Sequence, residues 1–313
     1  MRSLIPATIC IVLLSFVALA QPPDAQTKAS QILMHARAAI APEAQLKSLQ
    51  SLSVILTARR TIGAMHFEND IEYDILLPDK FRRRESRQPF TTVTVIQDES
   101  SFTYSIPTPA SGGDALRENS PDPQAQARRR AEFARVLLGF LLRMPDSAQA
   151  EYSYAGEYKE PDGIADMIDV TGKDGFAARL YIEQTTHRLL ALTYRGRQLS
   201  QAVQTVARRA GNAPPPRPTP DEKKLTPEQQ AQRQVERWAE FEKRRKQFEE
   251  ALAQAPEVEY RWIFSDYKPV KGFNLPHHLT KSEAGQEYEE WEISSFKINP
   301  KFAPTVFGMK EKR

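Results

Sequence analysis

Ile71-Glu72-Tyr73-Asp74-Ile75-Leu76-Leu77-Pro78-Asp79-Lys80-Phe81-Arg82-Arg83-Arg84-Glu85 alternates apolar with polar residues and then breaks at a proline before a basic run. Ile71, Tyr73, Ile75 and Leu77 share one face of a pleated strand, while Glu72 and Asp74 share the other. Pro78-Asp79 then reads as a turn, and the basic run that follows reads as a returning strand. Such a hairpin belongs to an antiparallel sheet with one buried face.

The same pattern extends in both directions. On the N-terminal side lie Ser53 to Thr61 and Ala64 to Phe67, and on the other side Lys80 to Ser86, Thr91 to Gln97 and Ser101 to Ile106. All are short, rich in Val, Ile, Thr, Phe and Tyr, and bounded by turn residues, so they predict a meander. It resumes with Glu151 to Tyr158, Ile164 to Thr171, Ala177 to Glu183 and Leu189 to Arg195, and again with Val258 to Tyr267, His278 to Ser282 and Gln286 to Lys297.

Helices punctuate the strands. Ala25 to Leu52 carries Ile32, Leu33, Ala36, Ala39 and Ile40 at helical spacing, with Pro42 kinking or ending the helix. Pro107 to Pro123 is a loop by composition. Arg128 to Met144 then sets Phe133, Val136, Leu137, Phe140, Leu141 and Met144 along one side and stops at Pro145, which predicts a deeply seated helix. Residues 207–256 differ from the rest, with a stiff run, Pro214 to Pro220, followed by a long polar helix that starts at Thr226-Pro227. They read as an insertion between two neighbouring strands, dividing a first sheet segment at 21–206 from the C-terminal strands at 257–313. So much antiparallel strand is too much for a flat layer, and an α+β fold with a sheet curled over one buried face is expected. The same aliphatic and aromatic faces serve a cavity or a filled core.

Met1 to Ala20 has the make-up of a secretory signal: Arg2, an apolar run from Leu4 to Val17, and Ala18-Leu19-Ala20 before the cut. The expected mature chain is exported to the periplasm. Cys10, the only cysteine, falls inside the signal, so disulfides, thiolate metal sites and a cysteine nucleophile are excluded. Loss of Arg2 leaves 42 basic residues against 40 acidic ones, which gives no electrostatic reason to bind nucleic acid.

Leu77-Pro78-Asp79-Lys80-Phe81-Arg82, Ala178 to Glu183, Phe264 to Pro276, and Ile298-Asn299-Pro300 to Phe307 together resemble, in order, the matching elements of the LolA-like outer-membrane lipoprotein-sorting and carrier family. The resemblance implies a half-barrel of about eleven strands with helices covering its open side. It also implies an apolar cavity for lipid or the acyl chains of lipoproteins, loading and release by envelope membrane proteins, a monomer, and neither catalysis nor cofactor. The chain departs from the family at Leu77, where a basic residue commonly precedes the hairpin proline and helps latch the helical lid. Arg82, Arg83 and Arg84 just beyond it are either lid partners or a solvated basic strand, and the solvated strand is the expectation. A non-catalytic sensor of the same fold, using the polar helix as its partner surface, is the alternative function.

Candidate acyl contacts are Phe133, Val136, Leu137, Phe140 and Leu141 from the helix, with Ile75, Leu77, Phe102, Tyr104, Leu180, Ile182 and Trp262 from the sheet. Plain helix-on-sheet packing would use the same residues. His277-His278 point to opposite faces of a strand and do not make a metal site, and no phosphate-loop or Gly-x-Ser-x-Gly motif occurs. Glu289, Glu290 and Glu292 read as a solvated strand face rather than as paired catalytic carboxylates.

Overall fold

In chain order, α1 (Ala25–Ile40) and α2 (Glu43–Ser48) precede six strands: β1 (Ser51–Ile62), β2 (Met65–Leu76), β3 (Lys80–Arg87), β4 (Phe90–Gln97), β5 (Ser100–Pro107) and β6 (Leu116–Glu118). Next come α3 (Pro123–Leu141) and four more strands, β7 (Glu151–Glu160), β8 (Gly163–Thr171), β9 (Ala177–Glu183) and β10 (Leu189–Arg197). The helices α4 (Leu199–Arg209) and α5 (Pro227–Gln254) follow, and β11 (Glu257–Val270), β12 (Phe273–Glu283) and β13 (Gln286–Ile298) complete the sheet. This computed structural model describes residues 24–62, 65–87, 90–97, 100–107, 116–118, 123–160, 163–209 and 226–308. The expected signal segment and the proline run of the linker lie outside them.

The strands form a single antiparallel sheet of thirteen, in the order β6-β5-β4-β3-β2-β1-β13-β12-β11-β10-β9-β8-β7. The sheet is curved and does not close. Register shifts at Ile55/Leu56, Tyr154/Gly156, Leu189/Ala191 and Lys281/Ser282 mark bulges, which bend and twist a sheet locally. The strand count exceeds the expected eleven or so. Leu116–Glu118, within a stretch read as loop, adds an edge strand. The two segments expected at 64–67 and 71–77 are one strand, because polar Glu68, Asn69 and Asp70 find cross-strand partners in Arg59, Glu85 and Thr57. The first helix is two helices, separated where Pro42 precedes α2.

Because β6 and β7 are the two edges of the sheet, the chain between them has to travel from one rim to the other, and α3 is that crossing. Its C-terminal half, with Val136, Leu137, Phe140 and Leu141, sinks into the main core with Leu52, Val54, Ile75, Leu180, Ile182 and Trp291. Phe140 packs edge-on to Phe296, with ring centres 5.5 Å apart. Ala29, Leu33, Ala36 and Ile40 of α1 join the same core, and Arg37 donates two hydrogen bonds, at 3.0 and 2.8 Å, to the carbonyl of Leu142 just past the end of α3. On the opposite face of the sheet a smaller cluster joins Val93 and Val95 to Phe102, Tyr104 and the C-terminal Phe302 and Phe307.

Asn299, at φ 52°, accepts from the backbone N–H of Gln50 and Ser51 at 2.7 and 3.2 Å and donates to the Ser48 carbonyl at 3.1 Å. This ties the exit of β13 to the entry of β1. Close approach also governs α3 and β11: a Cβ added at Gly139 would lie 2.7 Å from two ring carbons of Phe264. Gly139→Val should therefore destabilise the fold by about 1–3 kcal/mol through overpacking, read as a lowered midpoint in urea with an unchanged slope.

Candidate functional site

Only half of α3 is apolar, and this decides where the concave side is filled. Its N-terminal half carries Gln126, Arg128, Arg130, Glu132 and Arg135, which do not bury well, and here the sheet is left uncovered. A cavity of about 1270 Å³ lies between this part of α3 and strands β1, β3, β4 and β8–β13, lined by Phe133, Met144, Val170, Phe176, Ala178, Tyr194, Tyr260 and Trp262 among others. Exposed Lys173, Asp174, Glu257 and Glu259 stand along its rim, where it meets solvent.

A row of charge runs across the inner wall. Glu289 of β13 is the ladder partner of Arg60 on β1 and of Lys281 on β12, and Lys281 is in turn the partner of Trp262 on β11. The Glu289 carboxylate accepts from Lys281 Nζ at 2.9 Å, from Trp291 Nε1 at 2.5 Å and from the Arg60 guanidinium. The Lys281 ammonium sits 4.2 Å from the centre of the Trp262 ring and 3.6 Å from that of Trp291, held between two π faces. Arg83 of β3 also points inward, pairing with Glu85 at 2.8 Å and with Glu132 of α3 at 3.7 Å. Burial opposes ionisation of Glu289, but Lys281 and Arg60 prevail and hold its carboxyl at about 2.

Two sequence expectations change here. Glu289 is buried, not part of a solvated acidic face, whereas Glu290 and Glu292 stay half-exposed with Arg59 and His278 nearby. The signal was present: Glu289, Trp291 and Ile293 alternate, so the face that buries the tryptophan must bury the glutamate. Likewise Arg83 is enclosed and reaches α3, while Arg84 is exposed and Arg82 pairs with the buried Asp74 on the other face.

Of the residues expected to contact an acyl chain, Phe133 and Trp262 line the cavity. Ile75, Val136, Leu137, Phe140, Leu141, Leu180 and Ile182 lie in packed core, and Leu77 packs against it partly buried. Phe102 and Tyr104 sit on the opposite face of the sheet, as ladder partners of Val95 and Val93, and do not join the others. Alternation shows which residues share a face, but not which face is concave.

On the far side of the cavity stand the start of α4 and the end of α5. Leu199 and Leu252 line it, and Arg128 of α3 pairs with Glu249 of α5 at 2.5 Å. The N-terminus of α4 is fixed by the buried Glu283 carboxylate, which accepts from the backbone N–H of Leu199 at 2.5 Å, from that of Ser200 at 3.2 Å and from the Tyr260 hydroxyl at 2.5 Å.

No family model matches the sequence, and no curated protein does. The fold is similar to the crystal structure of a DUF1329 family protein from Desulfovibrio piger, with a TM-score of 0.50 over 91% of this chain and 98% of that one at 8% identity. A structure described as an outer membrane lipoprotein-sorting protein domain, from Vibrio parahaemolyticus, has a TM-score of 0.47 at 7% identity, covering 90% and 96% of the two chains. A LolA superfamily protein from Nitrosomonas europaea has a TM-score of 0.41 at 11% identity, covering 90% and 97%. At such identities the likeness is one of fold. The curved, unclosed antiparallel sheet with helices on its inner side is the α+β half-barrel expected from the sequence.

Glu289 makes the fold acid-sensitive in a defined window. Its carboxyl titrates at about 2 in the folded state against an ordinary 4.5, so its stabilisation is complete above about pH 4.5 and is lost as pH falls through 2, roughly 3 kcal/mol in all. Thermal melts of the wild type and Glu289→Gln should differ most above pH 4.5 and converge towards pH 2. A gap that stays constant across that range would contradict the assignment.

Proposed function

We propose that this protein is a non-catalytic periplasmic carrier that takes up a lipid or the acyl chains of a lipoprotein and exchanges them with envelope partners. The observation that carries the reading is the open-sided cavity of about 1270 Å³ on the inner side of an unclosed sheet. It exceeds the ~300–1,000 Å³ usual for small-ligand clefts. Apolar surface from Phe133, Met144, Val170, Phe176 and Trp262 gives an acyl chain somewhere to lie. Burial there is worth about 0.8 kcal/mol per methylene, offset by ordering of the chain.

The inner carboxylates support binding over catalysis. Glu289 is ionised at neutral pH and is held by Lys281 and Arg60, which leaves it no proton to donate and little basicity. Among the described residues no helix is long and apolar enough to cross a membrane. The signal-like N-terminus supports the periplasmic assignment.

Native mass spectrometry of the protein purified from an envelope fraction should show a bound lipid or acylated mass that organic extraction removes. Ala131→Trp, on the cavity face of α3, should cut uptake of a fluorescent fatty-acid probe at least tenfold while leaving the melting temperature within a few degrees. Uptake unchanged by a tryptophan at this position would sink the cavity reading.

A further inference from the structure

Among the cations that line the cavity, Arg60, Arg83 and Lys281 project from the sheet and Arg135 from α3. Arg60 and Lys281 share Glu289, and Arg83 has Glu85 and Glu132, so three of these cations face three carboxylates. Arg135 is the excess. Among the described residues it has no carboxylate partner, and its guanidinium carbon sits over the Tyr194 ring, 3.7 Å from the ring centre. Tyr194 stacks in turn on Tyr260, with ring centres 5.0 Å apart.

The unsatisfied groups on this wall share one character. Three residues lining the cavity carry a buried N–H donor without a hydrogen-bond partner: Arg135 Nε, Trp262 Nε1 and Arg83 Nε, the last in an ion pair with Glu132 at 3.7 Å, beyond hydrogen-bond reach. Buried donors without acceptors are costly, and a ligand that supplies acceptors relieves the cost. Burial pushes the Tyr194 phenol up to about 12, so it too keeps its proton at neutral pH. An excess guanidinium, orphaned N–H groups and aromatic faces together suit an anion attached to an apolar body.

We propose that Arg135 anchors an anionic head group, a phosphate or a carboxylate, of an amphiphile whose apolar part lies against Phe133 and Trp262. This rests on the carrier reading and specifies the chemical class of its ligand. The planar guanidinium offers paired N–H donors to such an anion, and its cation–π contact with Tyr194 holds it over the ring.

The test titrates Trp fluorescence with dodecyl phosphate, dodecanoate, uncharged dodecanol and inorganic phosphate, using wild type, Arg135→Gln and Arg135→Lys, each checked for folding by circular dichroism. At least one of the two anionic amphiphiles should bind about ten- to a hundredfold tighter than dodecanol, as a charge-assisted hydrogen bond implies. Arg135→Gln should abolish that preference without weakening dodecanol, and Arg135→Lys should restore part of it. Equal binding of charged and uncharged chains, unaffected by Arg135→Gln, overturns the anion site and leaves the carrier. Inorganic phosphate binding as tightly as dodecyl phosphate, and lost in Arg135→Gln, keeps the anion site and overturns the carrier. Binding of none of the four overturns both.

Discussion

The ion pair between Lys281 and Glu289, boxed by Trp262 and Trp291 and closed by Arg60, is the constraint around which the concave wall is organised. Taking these charges out of water is expensive unless every partner is in place, and the partners come from β1, β11, β12 and β13. A one-residue slip of β13 against either neighbour would turn Glu289 outward and strand two cations inside. The row therefore acts as a register pin at the point where the N-terminal and C-terminal halves of the sheet meet. From it a chain of aromatic contacts spreads along the wall, through Trp291 to Tyr73 and Phe81 on one side and through Trp262 to Tyr194 on the other.

The division of the concave side into a packed end and an open end has a single cause in the composition of α3. The helix crosses from rim to rim because its flanking strands are the two edges, and it is apolar along only half of its length. Where it offers Val136, Leu137, Phe140 and Leu141, the sheet closes on it; where it offers Arg128, Glu132 and Arg135, space remains and the wall beneath is charged and aromatic. The ion pair between Arg128 and Glu249 holds α5 against α3, and the capped start of α4 sets Leu199 at the edge of that space.

Much of this architecture was legible in the sequence, because period-two alternation, turn residues and the helical stripe each report a local preference that the tertiary structure keeps. Strands such as Ala177–Glu183 and Gln286–Ile298 lie where alternation puts them. What escaped was relational. Phe102 and Tyr104 alternate as well as Ile75 does, yet the ladder register lines them up through Val95 and Val93 with Asp74 and Glu72, on the other face. Arg83 and Glu289 look like solvated residues in any charge-rich strand, and only the neighbouring Phe81 and Trp291 tell which face they occupy. The cavity was hidden for the same reason: an apolar stripe predicts burial and does not say whether a side chain or a ligand fills the opposing space.

The pairing of β1 with β13 has a consequence for how such a chain is assembled. Leu52 and Ile298 are neighbours in the sheet although almost the whole chain separates them, so the central ladder is the most non-local one in the molecule. A chain delivered N-terminus first presents β1 to β6 as a meander whose β1 edge is bare until the last strand arrives. Loop closure of that span is slow, and an unpaired hydrophobic edge is the part of a sheet most open to association with other chains. The topology thus places a waiting period between delivery and completion, during which protection of one strand edge decides whether the sheet closes on itself.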